Sequence, residues 1–224
     1  MEFHTFDTNE QFVSKSAASM HDAIEGDTYR YIALSGGKTP MSVYEAFACQ
    51  LSSTAAEKIF LFEVDERYVP SHHPDANACM IHKKLVKFHE KEWAGVSFFD
   101  TTKPLGEAIL AYKHALSIVP DLVFDLMVLG VGTDGHIASL FPYTPSLQDM
   151  DHTVLHTTTI HHFVYDRLTL GAKVILQAKK ILILLRGEDK RAVYEELQNP
   201  QKRRDAFPAH MLQSHSDVTV HFAV

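Results

Sequence analysis

Four short runs of uniformly apolar residues constrain the fold more than any other feature of this 224-residue chain. They occupy residues 31–34, 59–62, 126–129 and 181–185. Each run is too short for a helix and too apolar for a strand with one face in water. Between them, residues 42–51, 105–117 and 190–197 space their apolar side chains three and four apart, which is the helical period. The alternation predicts an α/β fold in three layers, a mostly parallel, Rossmann-like sheet with helices on both faces.

The composition limits which partners this protein can bind and in which cellular compartment we expect it. The formal net charge of −7 disfavours nucleic acid, because phosphate backbones bind Lys and Arg clustered on a basic face. The two cysteines, Cys49 and Cys79, form no Cys-x-x-Cys pair and no disulfide framework, which is typical of reduced cytoplasmic thiols. Neither an export signal nor a run of about 18 apolar residues is found. We expect one domain over residues 1–224, cytoplasmic and without a membrane partner.

The loop after the first apolar run has the composition of an anion cradle. Ser35, Gly36, Gly37, Lys38 and Thr39 stand between that run and a helical segment. Glycines let the backbone approach an anion closely, and a helix N-terminus presents N–H groups to it. The spacing matches neither the nucleotide P-loop nor the dinucleotide fingerprint, so a small phosphate ester is the predicted ligand. The alternative is an ordinary strand-to-helix turn.

The loop after the third run carries residues suited to proton transfer. Gly130, Gly132 and Gly135 surround Asp134 and His136. Histidine exchanges protons near neutral pH, and a nearby carboxylate fixes its tautomer. The pattern therefore predicts His136 as a general base, supported by Asp134 or by a carboxylate from another loop.

Charged residues follow the other two runs. Asp65, Glu66 and Arg67 come after the second, and Lys190 is expected in the first turn of the helix after the fourth. Arg167, upstream of the fourth run, offers a second cation for a phosphate group. The alternatives are an internal salt bridge from Arg67 to Asp65 or Glu66, and solvated surface charges for Lys190 and Arg167.

Taken in chain order, these loops resemble those of the 6-phosphogluconolactonases over about residues 30–197. The motifs are Leu34-Ser35-Gly36-Gly37-Lys38-Thr39-Pro40, Asp65-Glu66-Arg67-Tyr68-Val69-Pro70, Asp134-Gly135-His136-Ile137-Ala138-Ser139-Leu140-Phe141-Pro142 and Gly187-Glu188-Asp189-Lys190. The superfamily also contains glucosamine-6-phosphate deaminases, which look like Asn-Glu-Pro after a Phe that follows the catalytic His. No such Glu follows His136 here, which favours the lactonases. The chain departs from the lactonase pattern at Ala76, Asp166 and residues 214–217.

The resemblance implies hydrolysis of 6-phosphoglucono-δ-lactone to 6-phosphogluconate, a step of the oxidative pentose phosphate pathway. It implies a catalytic set of His136, Asp134, Arg67 and Asp65, with His136 activating water and Arg67 facing the oxyanion. It further implies a phosphate site formed by Ser35, Gly36, Gly37, Lys38, Thr39, Lys190 and Arg167. The implied partner is the sugar-phosphate lactone alone, bound by a monomer or homodimer without a cofactor.

Three alternatives remain open. The chain could be a glucosamine-6-phosphate deaminase or isomerase, with Asp65 moving a proton beside the carbonyl carbon, or a regulator that binds a sugar phosphate without turnover. A metal enzyme is considered because the chain has 15 histidines, and imidazole is a common ligand. The histidines outside the motifs include His72, His73, His152, His156, His161 and His162. None shows a recognised zinc spacing with acids or cysteines, so no metal is expected.

Overall fold

The computed structural model describes residues 1–159 and 166–224. The strands of these residues are Glu2–Phe6 (β1), Arg30–Leu34 (β2), Ile59–Glu63 (β3), Asp65–Arg67 (β4), Gly95–Ser97 (β5), Leu126–Leu129 (β6), Val154–Thr158 (β7), Asp166–Leu170 (β8), Lys180–Arg186 (β9) and Val218–Ala223 (β10). The α-helices are Asn9–Ala23 (α1), Met41–Gln50 (α2), Ser53–Ala56 (α3), Asn77–Lys84 (α4), Leu105–Ala115 (α5), Pro145–Gln148 (α6), Ala172–Leu176 (α7) and Arg191–Gln198 (α8). Short 3₁₀ turns cover Val86–His89, Leu116–Ile118, Pro120–Leu122, Glu188–Lys190 and Pro208–Ser214.

The central sheet has the strand order β1-β10-β9-β6-β2-β3-β5. All its neighbouring strands run parallel. The four apolar runs form the adjacent strands β9, β6, β2 and β3, as their composition predicts. Because the carboxyl ends of parallel strands meet at one edge, the loops after these strands are brought together there.

Two cores lie on opposite faces of this sheet. Successive residues of one strand alternate between them: Ile32 and Leu34 belong to one core and Ala33 to the other. Helices α1, α2 and α4 cover the core that contains Ile32, and α5, α7 and α8 cover the second. A strand with apolar side chains on both faces needs a cover on both. The predicted three-layer arrangement is confirmed.

A small antiparallel sheet, β4-β8-β7, stands beside the carboxyl edge of β3. Residues 65–67, expected in a loop, instead form strand β4, which pairs with β8 across about a hundred residues of sequence. The sequence pattern misses β4 because three polar residues in a row carry no period of two. The pairing fixes the orientation of the charged residues that follow β3.

The predicted helices form with shifts of one or two residues at their ends. The exception that matters is Lys190, which was expected in the first turn of a helix and instead precedes α8 as the last residue of a 3₁₀ turn. Gly187, with φ of 105°, begins that turn, and its carbonyl accepts a hydrogen bond from the Lys190 N–H. Lys190 therefore stands immediately before α8.

No helix in residues 1–159 or 166–224 is long and apolar enough to cross a membrane.

Candidate active site

The loop after β6 brings Asp134 and His136 into direct contact. Oδ1 of Asp134 lies 2.6 Å from Nδ1 of His136 and also accepts a hydrogen bond from the His136 N–H at 3.2 Å. A Cβ at Gly132 would lie 2.1 Å from Nδ1 of His136, and Gly135 adopts a φ of 84°. Both glycines are therefore required for the loop to close around the pair. Of the possible carboxylates, the one in the same loop is therefore in contact with His136.

The Asp134 carboxylate sets the chemistry of the imidazole. A carboxylate accepts hydrogen bonds, so the proton of neutral His136 resides on Nδ1 and the lone pair on Nε2. The ring of Phe141 lies 4.8 Å from the His136 ring and limits its rotation on the apolar side. A histidine held in this way can accept a proton at Nε2 without reorienting.

The loop after β2 passes close to the start of α4. A Cβ at Gly36 would lie only 1.8 Å from Oδ1 of Asn77, so only glycine fits at this position. The buried Tyr44 hydroxyl donates a hydrogen bond to the Ser35 carbonyl at 2.8 Å and fixes the loop from below. The backbone at Ser35 and Gly36 is thus held against the Asn77 side chain.

Two arginines stand directly opposite one another in the β4–β8 pair. Arg67 is the register partner of Arg167, and directly opposed Cβ atoms in such a pair are roughly 5 Å apart. Burial, followed by the positive charge of Arg67, lowers the pKa of the Arg167 guanidinium. The charges of Asp65, Glu66 and Asp75 act on Arg167 in the opposite direction, and two guanidinium groups side by side can both donate hydrogen bonds to one anion. The pair is therefore suited to bind a phosphate or an oxyanion.

These elements meet around a cavity of about 90 Å³. Its lining residues are Ser35, Gly36, Asp65, Arg67, Asn77, Gly130, His136, Ala138 and Arg167. Three buried polar atoms at its wall, Ser35 Oγ, Arg67 Nε and Asn77 Oδ1, have no hydrogen-bond partner within the described parts of the chain. Buried polar atoms are normally satisfied, so these three atoms make the cavity suited to a polar ligand.

Six of the residues predicted for the site line this cavity, and five do not. Those that line it are Ser35, Gly36, Asp65, Arg67, His136 and Arg167. Asp134 contacts His136 but is not part of the wall, and neither are Gly37, Lys38, Thr39 and Lys190. Lys190 instead donates from Nζ to the Val131 carbonyl at 2.9 Å, which places its charge beside the His136 loop.

Arg67 and Asp65 make different contacts from the salt bridge considered above. Among residues 1–159 and 166–224, no ion pair joins Arg67 to Asp65 or Glu66. The Nη1 of Arg67 donates to the Asp75 carbonyl at 2.7 Å, and Asp65 Oδ2 accepts the Ser139 hydroxyl at 2.6 Å. The guanidinium is oriented by a backbone carbonyl, so its charge is not neutralised by a neighbouring carboxylate of β4.

Asn77 and Ala138 are wall residues that sequence reasoning missed. Asn77 is 2% exposed and donates from Nδ2 to the Asp65 carbonyl at 2.8 Å. Ala138 adopts a φ of 51°, a conformation that costs a residue with a Cβ about 1 kcal/mol or more and that clusters at functional sites. Neither residue has a local sequence signal, because the burial of Asn77 and the backbone conformation of Ala138 arise only in the folded chain.

A larger cavity of about 660 Å³ has Asp134 in its wall. Its described lining is rich in hydroxyl groups and includes one cation: Thr133, Asp134, Phe141, Pro142, Tyr143, Thr144, Thr158, Thr159, Lys202 and Ala206. Hydroxyl groups and aromatic faces are suited to a polyol ring.

Metal ligands are not grouped in the described part of the chain, where no three His, Cys, Asp or Glu side chains converge on one point. His161 and His162 lie outside the described residues. Cys49 and Cys79 are both free thiols.

The chain is similar to known proteins over nearly its whole length. The model of the family described as glucosamine-6-phosphate isomerases/6-phosphogluconolactonase matches residues 6–221. A probable 6-phosphogluconolactonase of Dictyostelium discoideum is 33% identical over 208 residues, covering 90% of this chain and 87% of that protein. A 6-phosphogluconolactonase of Synechocystis is 33% identical over 194 residues, covering 84% and 79%.

Solved structures agree with this similarity. The crystal structure of 6-phosphogluconolactonase from Thermotoga maritima superposes with a TM-score of 0.85 at 26% identity, over 99% of this chain and 98% of that one. A monomeric glucosamine-6-phosphate deaminase superposes with a TM-score of 0.82 at 23% identity, over 100% and 97%, which shows the fold alone. On the extent of the family match and of these relatives, the chain belongs to the glucosamine-6-phosphate isomerase/6-phosphogluconolactonase family.

Proposed function

We propose that this protein hydrolyses the ring ester of 6-phosphoglucono-δ-lactone to 6-phosphogluconate. One observation carries the proposal: the Asp134–His136 pair, 2.6 Å apart, adjoins a cavity that also contains two opposed arginines. A base beside an anion site is what hydrolysis of a phosphorylated ester requires. The names of relatives at about a third identity supply the substrate class.

The phosphate is the handle that positions the lactone. In our proposal it is bound by Arg167, the N–H groups of Gly36, Gly37 and Lys38, and Lys190 from beside the His136 loop. The Ser35 hydroxyl, unsatisfied in the described residues, adds a donor. Binding energy from this distant group orients the carbonyl carbon without itself changing during the reaction. The sugar ring extends towards the larger, hydroxyl-rich cavity, where a ring of its size has room.

His136 acts as the general base. Nε2 removes a proton from water as the water oxygen attacks the lactone carbonyl carbon, forming a tetrahedral oxyanion. Asp134 stabilises the resulting imidazolium through Nδ1. Collapse of the intermediate breaks the bond between the carbonyl carbon and the ring oxygen, and the imidazolium returns its proton to that oxygen. General base catalysis of this kind contributes on the order of 10²- to 10⁴-fold.

Arg67 faces the oxyanion in this scheme. Its guanidinium is held by the Asp75 carbonyl and needs no reorganisation when negative charge develops. The acid Asp65 is bound by the Ser139 hydroxyl. In our scheme Asp65 completes the catalytic set by orienting the groups around the carbonyl, and it takes no proton. This assignment differs from a deaminase or isomerase, where an acid moves a proton beside the carbonyl carbon.

The test is a rate measurement on freshly generated 6-phosphoglucono-δ-lactone, with the spontaneous hydrolysis subtracted. Turnover well above background supports the proposal. Ammonia release from glucosamine 6-phosphate with no excess lactone hydrolysis would replace it with the deaminase reaction. Tight binding of 6-phosphogluconate by folded protein, with neither activity, would identify a sugar-phosphate-binding regulator.

A further inference from the structure

Glu63 carries a carboxyl group into the interior of the fold. It is the last residue of β3, it is fully buried, and its Oε2 accepts the Phe99 N–H at 2.9 Å. Within the described residues, no N–H or hydroxyl group reaches its Oε1. Burial, and then the charge of Glu66, raises the pKa of this carboxyl well above its ordinary value. The proton therefore stays on Glu63 at pH values where a surface glutamate is ionised.

Glu66, on β4, is the side-chain neighbour with which the Glu63 carboxyl shares a hydrogen bond, and burial raises the pKa of Glu66 as well, whereas its N–H partners lower it. Its Oε1 accepts the N–H groups of Arg67 at 2.6 Å and Asn77 at 2.7 Å, and its Oε2 accepts that of Ala78 at 2.8 Å. Three N–H donors favour the ionised form of an acid. A single proton shared by the pair is thus best placed on Glu63, which then donates a hydrogen bond to Glu66.

The Glu66 carboxylate performs the capping of α4. The residue at the N-cap position of this helix is Ala76, which has no side-chain acceptor, and the first N–H groups of a helix need one. Glu66 supplies it from another element. The same oxygen that caps Asn77 also binds the Arg67 N–H, so one carboxylate sets the backbone of two wall residues of the candidate site.

We propose that Glu63 is a positioning residue for this site: as a neutral acid it donates a hydrogen bond to Glu66, and the pair holds Arg67 and Asn77 in place. This inference rests on the proposed function only for its kinetic readout. Glu63 itself does not line the cavity and touches no substrate.

The surroundings of Glu63 explain why the proton is needed. The groups that face it are the carboxylates of Glu66 and Asp65 on β4 and the phenol of Tyr112 on α5, whose hydroxyl bonds the Glu63 backbone. Each of them is neutral or negative, so a second ionised carboxylate would repel Glu66 and Asp65 in a medium of low polarity. The repulsion would displace β4 and the start of α4.

Two substitutions separate the hydrogen bond from the volume of the side chain. Glu63→Gln keeps an acceptor for the Phe99 N–H and provides an N–H donor to Glu66. Glu63→Leu keeps a similar volume but removes both. The surface substitution Glu57→Gln is the matched control, because it removes one carboxyl group without touching the site.

The first measurement is independent of activity. The infrared spectrum at neutral pH should show the carbonyl stretch of a protonated carboxylic acid in the wild type and in Glu57→Gln, and should lose it in Glu63→Gln. Amide hydrogen exchange at Asn77 and Ala78 should be faster in Glu63→Leu than in Glu63→Gln. No protonated-acid band in the wild type, or equal exchange in the two variants, would overturn the proposal whatever the enzyme does.

The second measurement uses lactone hydrolysis. We expect kcat/KM within about twofold of the wild type for Glu63→Gln and about 10- to 100-fold lower for Glu63→Leu, since small displacements of positioning groups have effects of this size. A purely structural role would lower the melting temperature of Glu63→Leu and leave kcat/KM of the folded protein unchanged. If the wild type has no lactonase activity, the proposed function fails, while the spectroscopic test of the acid pair still stands.

Discussion

Nδ1 of His136 lies 2.6 Å from Oδ1 of Asp134, within a loop whose closure requires Gly132 and Gly135. The two residues are only two positions apart, so the geometry of the pair is a property of the loop and not of the whole fold. The rest of the cavity, by contrast, is assembled from strands distant in sequence. The catalytic pair and its surroundings can therefore be tested separately.

Loss of the base should remove most of the catalysis while the fold persists. We expect His136→Ala to lower kcat by about 10²- to 10⁴-fold. Asp134→Asn should lower it by about tenfold or more, because an amide can donate to Nδ1 and favour the wrong tautomer. Steady-state kinetics with the spontaneous rate subtracted measures both, and His114→Ala, on the exposed end of α5, is the control. An unchanged kcat in His136→Ala would refute the assignment.

The opposed arginines should make phosphate a stabilising ligand. We expect the melting temperature of the wild type to rise with inorganic phosphate, since a ligand that binds only the folded state stabilises it. Arg167→Gln should lower phosphate affinity by about 10- to 100-fold, as expected for one charge-assisted hydrogen-bonded contact. Arg204→Gln removes an exposed arginine away from the cavity and serves as the control. Equal phosphate titrations for the two variants would place the anion elsewhere.

The parts of the site that sequence reasoning finds are those encoded locally. Ser35 and Gly36 directly follow one buried apolar run, His136 lies in the loop after another, and the carboxyl ends of parallel strands meet at one edge. The sequence indicates Arg67 and Arg167 as separate cations, but the β4–β8 pairing, which has no periodic signature, places them opposite one another. The position of Asn77 depends on Glu66, eleven residues earlier, whose carboxylate accepts the Asn77 N–H at the start of α4. Such contacts arise only when the elements pack.

The difference between local motifs and packing contacts also explains why Lys38 and Thr39, predicted for the phosphate site, do not line the small cavity. Lys38 and Thr39 belong to a glycine-containing loop, but the backbone turns so that Lys38 is exposed and outside the small cavity. A local motif predicts that a loop can approach an anion; it does not fix which side chains turn towards it. The side chains of Ser35 and Lys38 accordingly have different surroundings although they are three residues apart.

Gly36 should not tolerate even a methyl group. In Gly36→Ala the new Cβ would lie 1.8 Å from Asn77 Oδ1, so we expect a loss of about 1–3 kcal/mol in unfolding free energy. Phosphate affinity should fall as well, because Asn77 must move out of the cavity wall. Gly106→Ala is the control, since no atom lies within 4 Å of its added Cβ. Chemical denaturation and phosphate titration measure the two effects, and a wild-type result for both would contradict the close approach.

His221 should make the protein less stable in mild acid. Burial, aided by the charges of His4 and Lys180, lowers the pKa of His221 from 6.5 to about 4, and Nδ1 lies 2.9 Å from the Ser16 hydroxyl. The unfolded chain therefore binds a proton at this position from pH 6.5 downward, whereas the folded chain does so only near pH 4. The unfolding free energy should fall across this interval by roughly 3 kcal/mol. Denaturant titrations of wild type and His221→Gln check it: the same slope against pH in both would exclude His221 as the cause.

Glu63 should make the protein less stable as the pH rises. Its pKa is raised in the folded state above an ordinary value of 4.5, so folding at higher pH requires the uptake of a proton that the unfolded chain has lost. The contribution of Glu63 to the unfolding free energy is therefore largest below pH 4.5. It decreases as the pH rises, by about 1.4 kcal/mol per pH unit, until the folded-state pKa is passed.

The substitution Glu63→Gln tests this pH dependence, because Gln at this position stays neutral at every pH. The stability of Glu63→Gln relative to the wild type should thus increase with pH, while Glu57→Gln shows no such trend. A difference between Glu63→Gln and wild type that stayed constant from pH 5 to pH 8 would mean that Glu63 is ionised in the folded protein, and the hydrogen bond to Glu66 would then have no proton to form it.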